Sequence, residues 1–298
     1  MYSDIAKETN NCGIEDDEAW FIEKTVPGRR RGNVNHGFFI TKMILKERTQ
    51  FQECLIFDNP LYGRVLVLDG IVQLSTFDEY IYHEMLVHPP MFAHSKPKQV
   101  LIVGGGDGGT LREVLKHDPE EVVMIDIDEQ FVYAAAKHLP SLSDGAFNDS
   151  RVTLLFEDAS EALLRYKNIF DVAIIDCNDA VGPSEVLFEE DFYSTVARAL
   201  KDDGVCSVQA GSMLDIAFLK QTCHRIETQL GRTAVFRLTI PCYHCGEYMF
   251  MVASKSGEPF GHDSTTLTKL QVNREVVTKY WSPVIHHASQ VLPSSFTL

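Results

Sequence analysis

The stretch VLIVGGGDGGTLREVLKH, from Val100 to His117, contains a strand, a glycine loop and the beginning of a helix. Its apolar run is typical of a buried parallel strand, and the glycines allow a tight turn into the helix. Loops of this kind usually bind a phosphate at the helix N-terminus. Asp107 stands inside this loop, where its carboxylate would repel a pyrophosphate. The stretch therefore predicts a nucleotide-type fold whose ligand places no phosphate at this loop.

Three more apolar runs follow the loop, separated by stretches with helical spacing such as DEQFVYAAAKHL. The runs are EVVMIDID, RVTLLFED and FDVAIIDC. This alternation predicts an α/β fold with a Rossmann-like, doubly wound sheet of the methyltransferase type. Short β-rich runs broken by DNP, YG and DG precede it, and they predict a small antiparallel β domain. We expect an N-terminal arm and this β domain in residues 1–88, and a Rossmann-like catalytic domain in residues 89–298.

The bulk properties of the chain exclude several classes of function. The net charge of −15 disfavours a nucleic-acid partner, because nucleic acids bind to basic surfaces. No apolar run approaches the ~20 residues of a membrane span, and the polar first residues do not resemble a signal peptide. The odd number of cysteines, 7, favours reduced thiols in a cytoplasmic protein. CYHC, Cys242 to Cys245, has the spacing of half a zinc site without a suitable second pair, so we expect no metal.

Acidic residues follow four successive strands of the predicted sheet. They are Asp107 in the first loop, Asp126 and Asp158 after the next two strands, and Asp176 and Asp179 after the fourth. Ligands of a doubly wound sheet bind beyond these strand ends, and an acid at Asp126 would accept hydrogen bonds from a ribose diol. Each acid alone is a weak signal, since Asp158 would also serve as a helix N-cap. Together they predict a site for a nucleoside that carries positive charge, such as an S-adenosylmethionine-type sulfonium. In addition, Asp176 and Asp179 indicate a cationic acceptor such as a diamine.

Several blocks of the chain resemble the polyamine aminopropyltransferases, and among these the spermidine synthases most closely. The resemblance extends from about Trp20 to Pro293 and rests on the following blocks in the family order: VLVLDGIVQLSTFDEYIYHEM, VLIVGGGDGGTLREVLKH, FDVAIIDCNDAVGPSEVLF, IPCYHCG and IHHASQVLP. It implies an N-terminal β domain joined to a Rossmann-like domain, in a homodimer or a larger homo-oligomer. CNDAVGPSEVLF matches the loop that covers the site in this family.

The resemblance implies transfer of the aminopropyl group of decarboxylated S-adenosylmethionine, a co-substrate, to putrescine, with no tightly bound cofactor and no metal. The products would be spermidine and methylthioadenosine. Asp176 would remove the proton of the attacking amine. The residues implied for the donor are Gln52, His83, Asp107, Asp126, Asp158, Ala159 and Pro183. The residues implied for the acceptor are Tyr82, Asp176, Asp179 and Tyr243, with Gln73, Gln209 and Trp20 lining the amine channel.

Three alternatives remain open at this stage. The same chemistry would also serve cadaverine, agmatine, diaminopropane or spermidine as acceptor. An S-adenosylmethionine-dependent amine N-methyltransferase is the second alternative, although the methyltransferase branch of this family lacks an acid at the position of Asp107. The third, a non-catalytic polyamine-binding protein, would not need Asp176. Taken without the resemblance, Tyr82, Tyr243 and Trp20 read as ordinary core or rim aromatics, and His83 as a structural histidine.

The chain also departs from the family pattern at three positions. Ala180 replaces a proline of the covering loop, and Ala159 replaces the glycine that follows the adenine-binding acid. Gln290 stands where the family has phenylalanine. We expect Ala180 to loosen the loop and the methyl group of Ala159 to crowd the adenine, which leaves the identity of the acceptor open.

Overall fold

The computed structural model describes residues 19–23, 35–178, 182–212, 214–256 and 262–294. The predicted N-terminal arm up to residue 18 lies outside the described residues, as do Asp179 and Ala180. No helix within these ranges is both long and apolar enough to cross a membrane.

Two small antiparallel sheets come first in the chain. β1 (Trp20–Ile22) pairs with β2 (Gly37–Phe39). A four-stranded meander follows, and its two faces pack in two different hydrophobic clusters. Its strands are β3 (Lys42–Arg48), β4 (Glu53–Asn59), β5 (Gly63–Leu68) and β6 (Ile71–Ser75). The predicted small antiparallel β domain is confirmed.

A larger sheet forms the centre of the described molecule. Its order is β12-β13-β11-β10-β7-β8-β9; β11, β10, β7, β8 and β9 are parallel, and β13 is antiparallel to both β11 and β12. The strands are β7 (Gln99–Gly104), β8 (Glu121–Asp126), β9 (Val152–Phe156), β10 (Phe170–Asp176), β11 (Leu200–Ser212), β12 (Thr233–Thr239) and β13 (Glu247–Ser254). The helices are α1 (Glu79–Ala93), α2 (Gly109–Leu115), α3 (Glu129–His138), α4 (Pro140–Ser143), α5 (Ala159–Ala162), α6 (Glu190–Ala199), α7 (Ile216–Leu230), α8 (Ser264–Asn273) and α9 (Pro283–Ala288).

The central strands are continuously apolar because both faces of the sheet are covered. In β7, Val100 and Ile102 belong to one hydrophobic core, whereas Leu101 and Val103 belong to the core on the opposite face. All four side chains are at most 1% exposed. Successive residues of a strand point to opposite faces, so a strand with two cores has no polar positions. The predicted Rossmann-like sheet is confirmed.

The chain changes direction across the sheet between β7 and β10. From β7 it proceeds to β8 and β9 on one side, and from β10 to β11 on the other. The loops after β7 and β10 therefore diverge and leave a crevice at the carboxyl ends of these strands. Helix α1 enters this region from the small sheets, and the predicted boundary between residues 88 and 89 lies within it.

Candidate active site

A cleft of about 300 Å³ lies at the carboxyl ends of the central strands and is closed on one side by the small β domain. It is bordered by most of the residues that the sequence analysis singled out. These are Gln52, Gln73, Tyr82, His83, Asp107, Asp126, Asp158, Ala159, Asp176 and Tyr243. The cleft therefore collects acidic, amide and aromatic side chains from both units of the chain.

Asp176 ends β10 and is held by two hydroxyl groups. Tyr82 on α1 donates a hydrogen bond of 2.7 Å to Oδ1, and Thr110 on α2 donates one of 2.6 Å to Oδ2. Burial raises the pKa of the Asp176 carboxyl, and the nearby carboxylate of Asp107 raises it further. The two hydroxyl groups and the charge of His83 act in the opposite direction on the pKa. The result is a fixed carboxylate with a greater proton affinity than an exposed aspartate.

His83 joins two carboxylates inside the protein. Its Nδ1 lies 2.6 Å from Oε2 of Glu79, and its Nε2 lies 3.3 Å from Oδ1 of Asp107. Arg112 supports Glu79 at 2.9 Å. Burial lowers the pKa of His83, but Asp107 and Glu79 outweigh it and raise the pKa to about 10. His83 is therefore an imidazolium at neutral pH, with a proton on each nitrogen.

Two glycines of the loop allow these groups to meet. A Cβ on Gly104, whose φ is +78°, would overlap the carbonyl group of Asp176. A Cβ on Gly109 would overlap the imidazole ring of His83. The backbone N–H of Gly109 donates a hydrogen bond of 2.7 Å to Oδ1 of Asp107. The glycine loop thus brings the acid of the loop close to the end of β10, a close approach that a larger residue would prevent.

Asp126 lies at the end of β8, deeper in the crevice. Its Oδ1 accepts a hydrogen bond of 2.8 Å from the backbone N–H of Asp128. Burial raises the pKa of Asp126 to about 7, and the carboxylates of Asp128, Asp107 and Asp176 contribute in the same direction. The carboxyl groups of Asp107, Asp126 and Asp176 border the same cleft and create a negative potential, which favours a cationic ligand.

Gln52 is oriented by a residue whose contribution the sequence analysis missed. Its Nε2 donates a hydrogen bond of 2.9 Å to Oδ2 of Asp128, and its Oε1 accepts one of 2.9 Å from Asn178. Thr49 donates a second hydrogen bond, of 2.6 Å, to the same oxygen of Asp128. Asp128 thereby connects the small β domain to the central sheet. The two aspartates of IDID were the available signal in the sequence. However, the partners of Asp128 lie more than seventy residues away in the chain.

Asp158 stands at the outer edge of the cleft. Its Oδ1 caps α5 by accepting hydrogen bonds from the N–H and the hydroxyl group of Ser160, at 2.8 and 2.7 Å. The N-cap interpretation of this residue is thus correct, and the residue still borders the cleft. Ala159 follows it and is 7% exposed.

On the acceptor side, the predicted residues have different environments. Tyr243 donates a hydrogen bond of 2.7 Å from its hydroxyl group to the carbonyl of Gln73, and both residues border the cleft. Gln209 is 1% exposed and does not border the cleft in the described part of the chain. Its amide donates to the carbonyls of Cys177 and Asn178 at 3.0 and 3.2 Å, so it holds the segment after β10.

Trp20 lies away from the cleft, where its ring packs edge-to-face on Phe39 and is 46% exposed. Pro183 belongs to a 3-10 segment, Gly182–Phe188, of which Ser184 and Leu187 border the cleft. Glu23 and Tyr248 are among the cleft residues that the sequence analysis missed. Neither belongs to a motif that the sequence analysis used.

Two family models match the chain. The Spermidine synthase tetramerisation domain matches residues 19–76, and the Spermine/spermidine synthase domain matches residues 79–262. A polyamine aminopropyltransferase of Caldicellulosiruptor bescii is 37% identical over 279 residues, which cover 93% of this chain and 96% of the relative. One of Clostridium tetani is 39% identical over 256 residues, which cover 85% of this chain and 89% of the relative.

Solved structures show the same likeness in three dimensions. A spermidine synthase in complex with the transition state analogue AdoDATO has a TM-score of 0.87 at 36% identity, covering 96% of this chain and 95% of that chain. The spermidine synthase from Thermotoga maritima has a TM-score of 0.83 at 35% identity, covering 96% and 94%. The family resemblance drawn from the sequence blocks is confirmed. Since the matches include all the described strands and the acids at the ends of the central strands, the chain belongs to the spermine/spermidine synthase family of polyamine aminopropyltransferases.

Proposed function

We propose that this enzyme transfers the aminopropyl group of decarboxylated S-adenosylmethionine to putrescine, giving spermidine and methylthioadenosine. The observation that carries the proposal is the closeness of Asp107 and Asp176. With His83 they form a group in which one ligand atom of each residue lies within 4.8 Å of the others. Acids at this distance suit a pair of substrates that bring an ammonium, a sulfonium and a second ammonium to one place.

Asp107 supports the decarboxylated donor over S-adenosylmethionine itself. S-adenosylmethionine carries a carboxylate at the end of the molecule where the decarboxylated compound carries only an ammonium. A negative cleft repels that carboxylate and attracts the ammonium. Asp107 therefore disfavours the alternative of an amine N-methyltransferase.

The attacking amine must first lose a proton. An alkyl ammonium resembles lysine, with a pKa near 10.4, so its deprotonation at neutral pH costs about 4 kcal/mol. Asp176 accepts this proton, and its raised pKa suits a general base. The nitrogen lone pair then forms a bond to the carbon beside sulfur, and the carbon–sulfur electrons leave with methylthioadenosine. The sulfonium is already a good leaving group, so alignment of donor and acceptor is the main contribution of the cleft.

The other predicted positions keep their proposed roles, except that two of them act indirectly. Gln209 acts through the segment that it holds after β10, and Trp20 acts only through the small β domain. The positions proposed for the donor are Gln52, His83, Asp126, Asp158, Ala159 and Pro183, and those proposed for the acceptor are Tyr82, Gln73, Tyr243 and Asp179.

A product assay with the purified protein tests the proposal. Decarboxylated S-adenosylmethionine is mixed with putrescine, cadaverine, agmatine, diaminopropane or spermidine, and methylthioadenosine and the polyamine are measured by mass spectrometry. We expect both products, with putrescine as the best acceptor. A parallel reaction with S-adenosylmethionine should give no S-adenosylhomocysteine. Formation of S-adenosylhomocysteine with an amine would overturn the choice of donor, and faster turnover of another amine would overturn the choice of acceptor.

We also propose that the protein assembles as a homodimer or a larger homo-oligomer in the cytoplasm. The match to a tetramerisation domain over residues 19–76 supports self-association. That region exposes large apolar side chains, which are typical of interaction surfaces. They are Trp20, Ile22 and Leu61. Cys54, Cys206, Cys223 and Cys242 are buried thiols outside any disulfide, as is usual in a reducing compartment. Light scattering on the eluting protein measures the mass, and a monomer would contradict the proposal.

A further inference from the structure

Three potential metal ligands meet at one end of the cleft, away from Asp176. Glu23 follows β1, His36 precedes β2, and His244 lies in the turn between β12 and β13. One ligand atom from each lies within 4.8 Å of the other two. Segments more than two hundred residues apart in the chain thus bring two imidazoles and one carboxylate to a single point.

The spacing of two of these groups suits a shared ion. Oε2 of Glu23 lies 3.3 Å from Nδ1 of His36. A charge-assisted hydrogen bond between such atoms would be about 2.7–2.9 Å long. Two atoms that bind the same Zn²⁺ at about 2.0–2.1 Å, at a tetrahedral angle, lie about 3.4 Å apart. At 3.3 Å the contact is a long hydrogen bond, and the same separation also suits two ligands of one tetrahedral ion.

Neighbouring groups hold the carboxylate and the first imidazole in place. Glu23 is 7% exposed, and its Oε1 accepts a hydrogen bond of 3.2 Å from the N–H of Val72. The backbone N–H of Glu23 donates to the carbonyl of His36 at 2.9 Å. The ring of His36 packs edge-to-face on Phe38, with 4.6 Å between centroids. Such supporting contacts orient metal ligands before the ion binds.

His244 supplies the third potential ligand. Its ring meets the ring of His36 edge-to-face, with 5.9 Å between centroids. Among the described residues, no hydrogen bond engages a ring nitrogen of His244. Glu23 and His244 both border the cleft. An ion held by three side chains keeps at least one coordination position for another ligand, and two of these three side chains border the cleft.

The other group of three potential ligands within the described residues, His83, Asp107 and Asp176, differs in this respect. Both nitrogens of His83 already contact carboxylates, and both oxygens of Asp176 accept hydrogen bonds from hydroxyl groups. These side chains are committed to one another, and they belong to the site described above.

We propose that Glu23, His36 and His244 bind one divalent transition-metal ion of the Zn²⁺ type at this end of the cleft. Imidazole and carboxylate ligands in a two-to-one ratio favour Zn²⁺ and its neighbours over Mg²⁺ or Ca²⁺, which require oxygen ligands. The ion adds positive charge beside the acceptor residues Gln73 and Tyr243. This part of the inference rests on the proposed function. We expect the bound ion to repel a diamine and to inhibit aminopropyl transfer in competition with the amine.

Binding is measured first, without any substrate. The full-length protein is freed of metal with a chelator, dialysed, and titrated with Co²⁺, whose visible absorption reports coordination by protein ligands. We expect one equivalent to bind and Zn²⁺ to displace it. His244→Ala and His36→Ala should each weaken binding by about 10-fold or more. His224→Ala is the matched control, because His224 is an exposed histidine on α7. Circular dichroism and thermal melting confirm that each variant is folded.

Two results would overturn the metal site. One is the absence of a saturable Co²⁺ spectrum in the wild-type protein, and the other is equal binding by the wild type and the folded His244→Ala variant. Inhibition by Zn²⁺ is then measured at several amine concentrations. We expect inhibition that rising amine relieves and that His244→Ala reduces. If aminopropyl transfer itself fails, the Co²⁺ titration still decides whether the ion binds.

Discussion

The phenol of Tyr82 donates a 2.7 Å hydrogen bond to Oδ1 of Asp176, which connects the first turn of α1 to the end of β10. The ring of Tyr82 is held edge-to-face on Phe250, with 4.9 Å between centroids. Burial raises the pKa of Tyr82 well above its usual value, and the carboxylate of Asp176 raises it further. Tyr82 therefore remains a donor at every physiological pH, and it fixes the direction in which Asp176 offers its remaining lone pairs.

We expect Asp176→Asn to reduce kcat by about 10²- to 10⁴-fold while the donor still binds, because the variant lacks the base but keeps the shape. Methylthioadenosine formation gives the rate, and calorimetry gives the affinity for decarboxylated S-adenosylmethionine. Asp202→Asn, at an exposed carboxylate remote from the cleft, is the control. If donor binding falls in parallel with turnover, Asp176 is not primarily the base.

Tyr82→Phe should raise the pKa of Asp176, since the Tyr82 hydrogen bond stabilises the ionised carboxylate. A base with a raised pKa loses its ionised form at a higher pH. The acidic limb of the kcat profile should therefore move to higher pH in the variant, with a smaller loss of kcat than in Asp176→Asn. The pH profile of single-turnover rates measures this shift. An unchanged or acid-shifted limb would show that Tyr82 does not tune Asp176.

His83 should contribute stability that disappears in alkali. Its pKa is about 10 in the folded protein and near 6.5 when unfolded, so the folded state holds an extra proton between these values. This contribution is complete below about pH 6.5 and is lost as the pH rises through about 10, at about 1.4 kcal/mol for each pKa unit. Urea unfolding at pH 6, 8 and 9.5 should show a steeper decline in the wild type than in His83→Gln. Parallel declines would mean that His83 is neutral in the folded protein.

Asp126 should also make stability fall as the pH rises, but over a lower pH range than His83. Its pKa is about 7 when folded and about 3.8 when unfolded, so ionisation favours the unfolded state as the pH rises from about 4 to 7. Asp126→Asn should therefore stabilise the free protein more at pH 8 than at pH 5, by on the order of 1–3 kcal/mol. The same variant should bind the donor more weakly, because a carboxylate that accepts from a ribose diol is gone. Equal stabilisation at both pH values would contradict a raised pKa.

The sequence by itself determined the central sheet and the edge where the ligand binds. Strands covered on both faces must be apolar throughout, so the run beginning at Val100 specified a buried parallel strand. Parallel strands end at one edge, which placed Asp126 and Asp176 near Asp107 without knowledge of any contact. The glycine loop added a backbone that lets Asp107 approach the end of β10. These are local properties, and they do not depend on the details of side-chain packing.

Only the tertiary structure decided which distant side chains reach that edge and in which direction they point. Periodicity assigns a residue to a face of its helix or strand, but the distance between two elements depends on how their cores pack. Thus Trp20 lies outside the cleft and Gln209 points at the backbone after β10, although both were predicted to line the channel. The pairing of His83 with Asp107, and the meeting of Glu23 with His244, likewise depend on side chains brought together by folding.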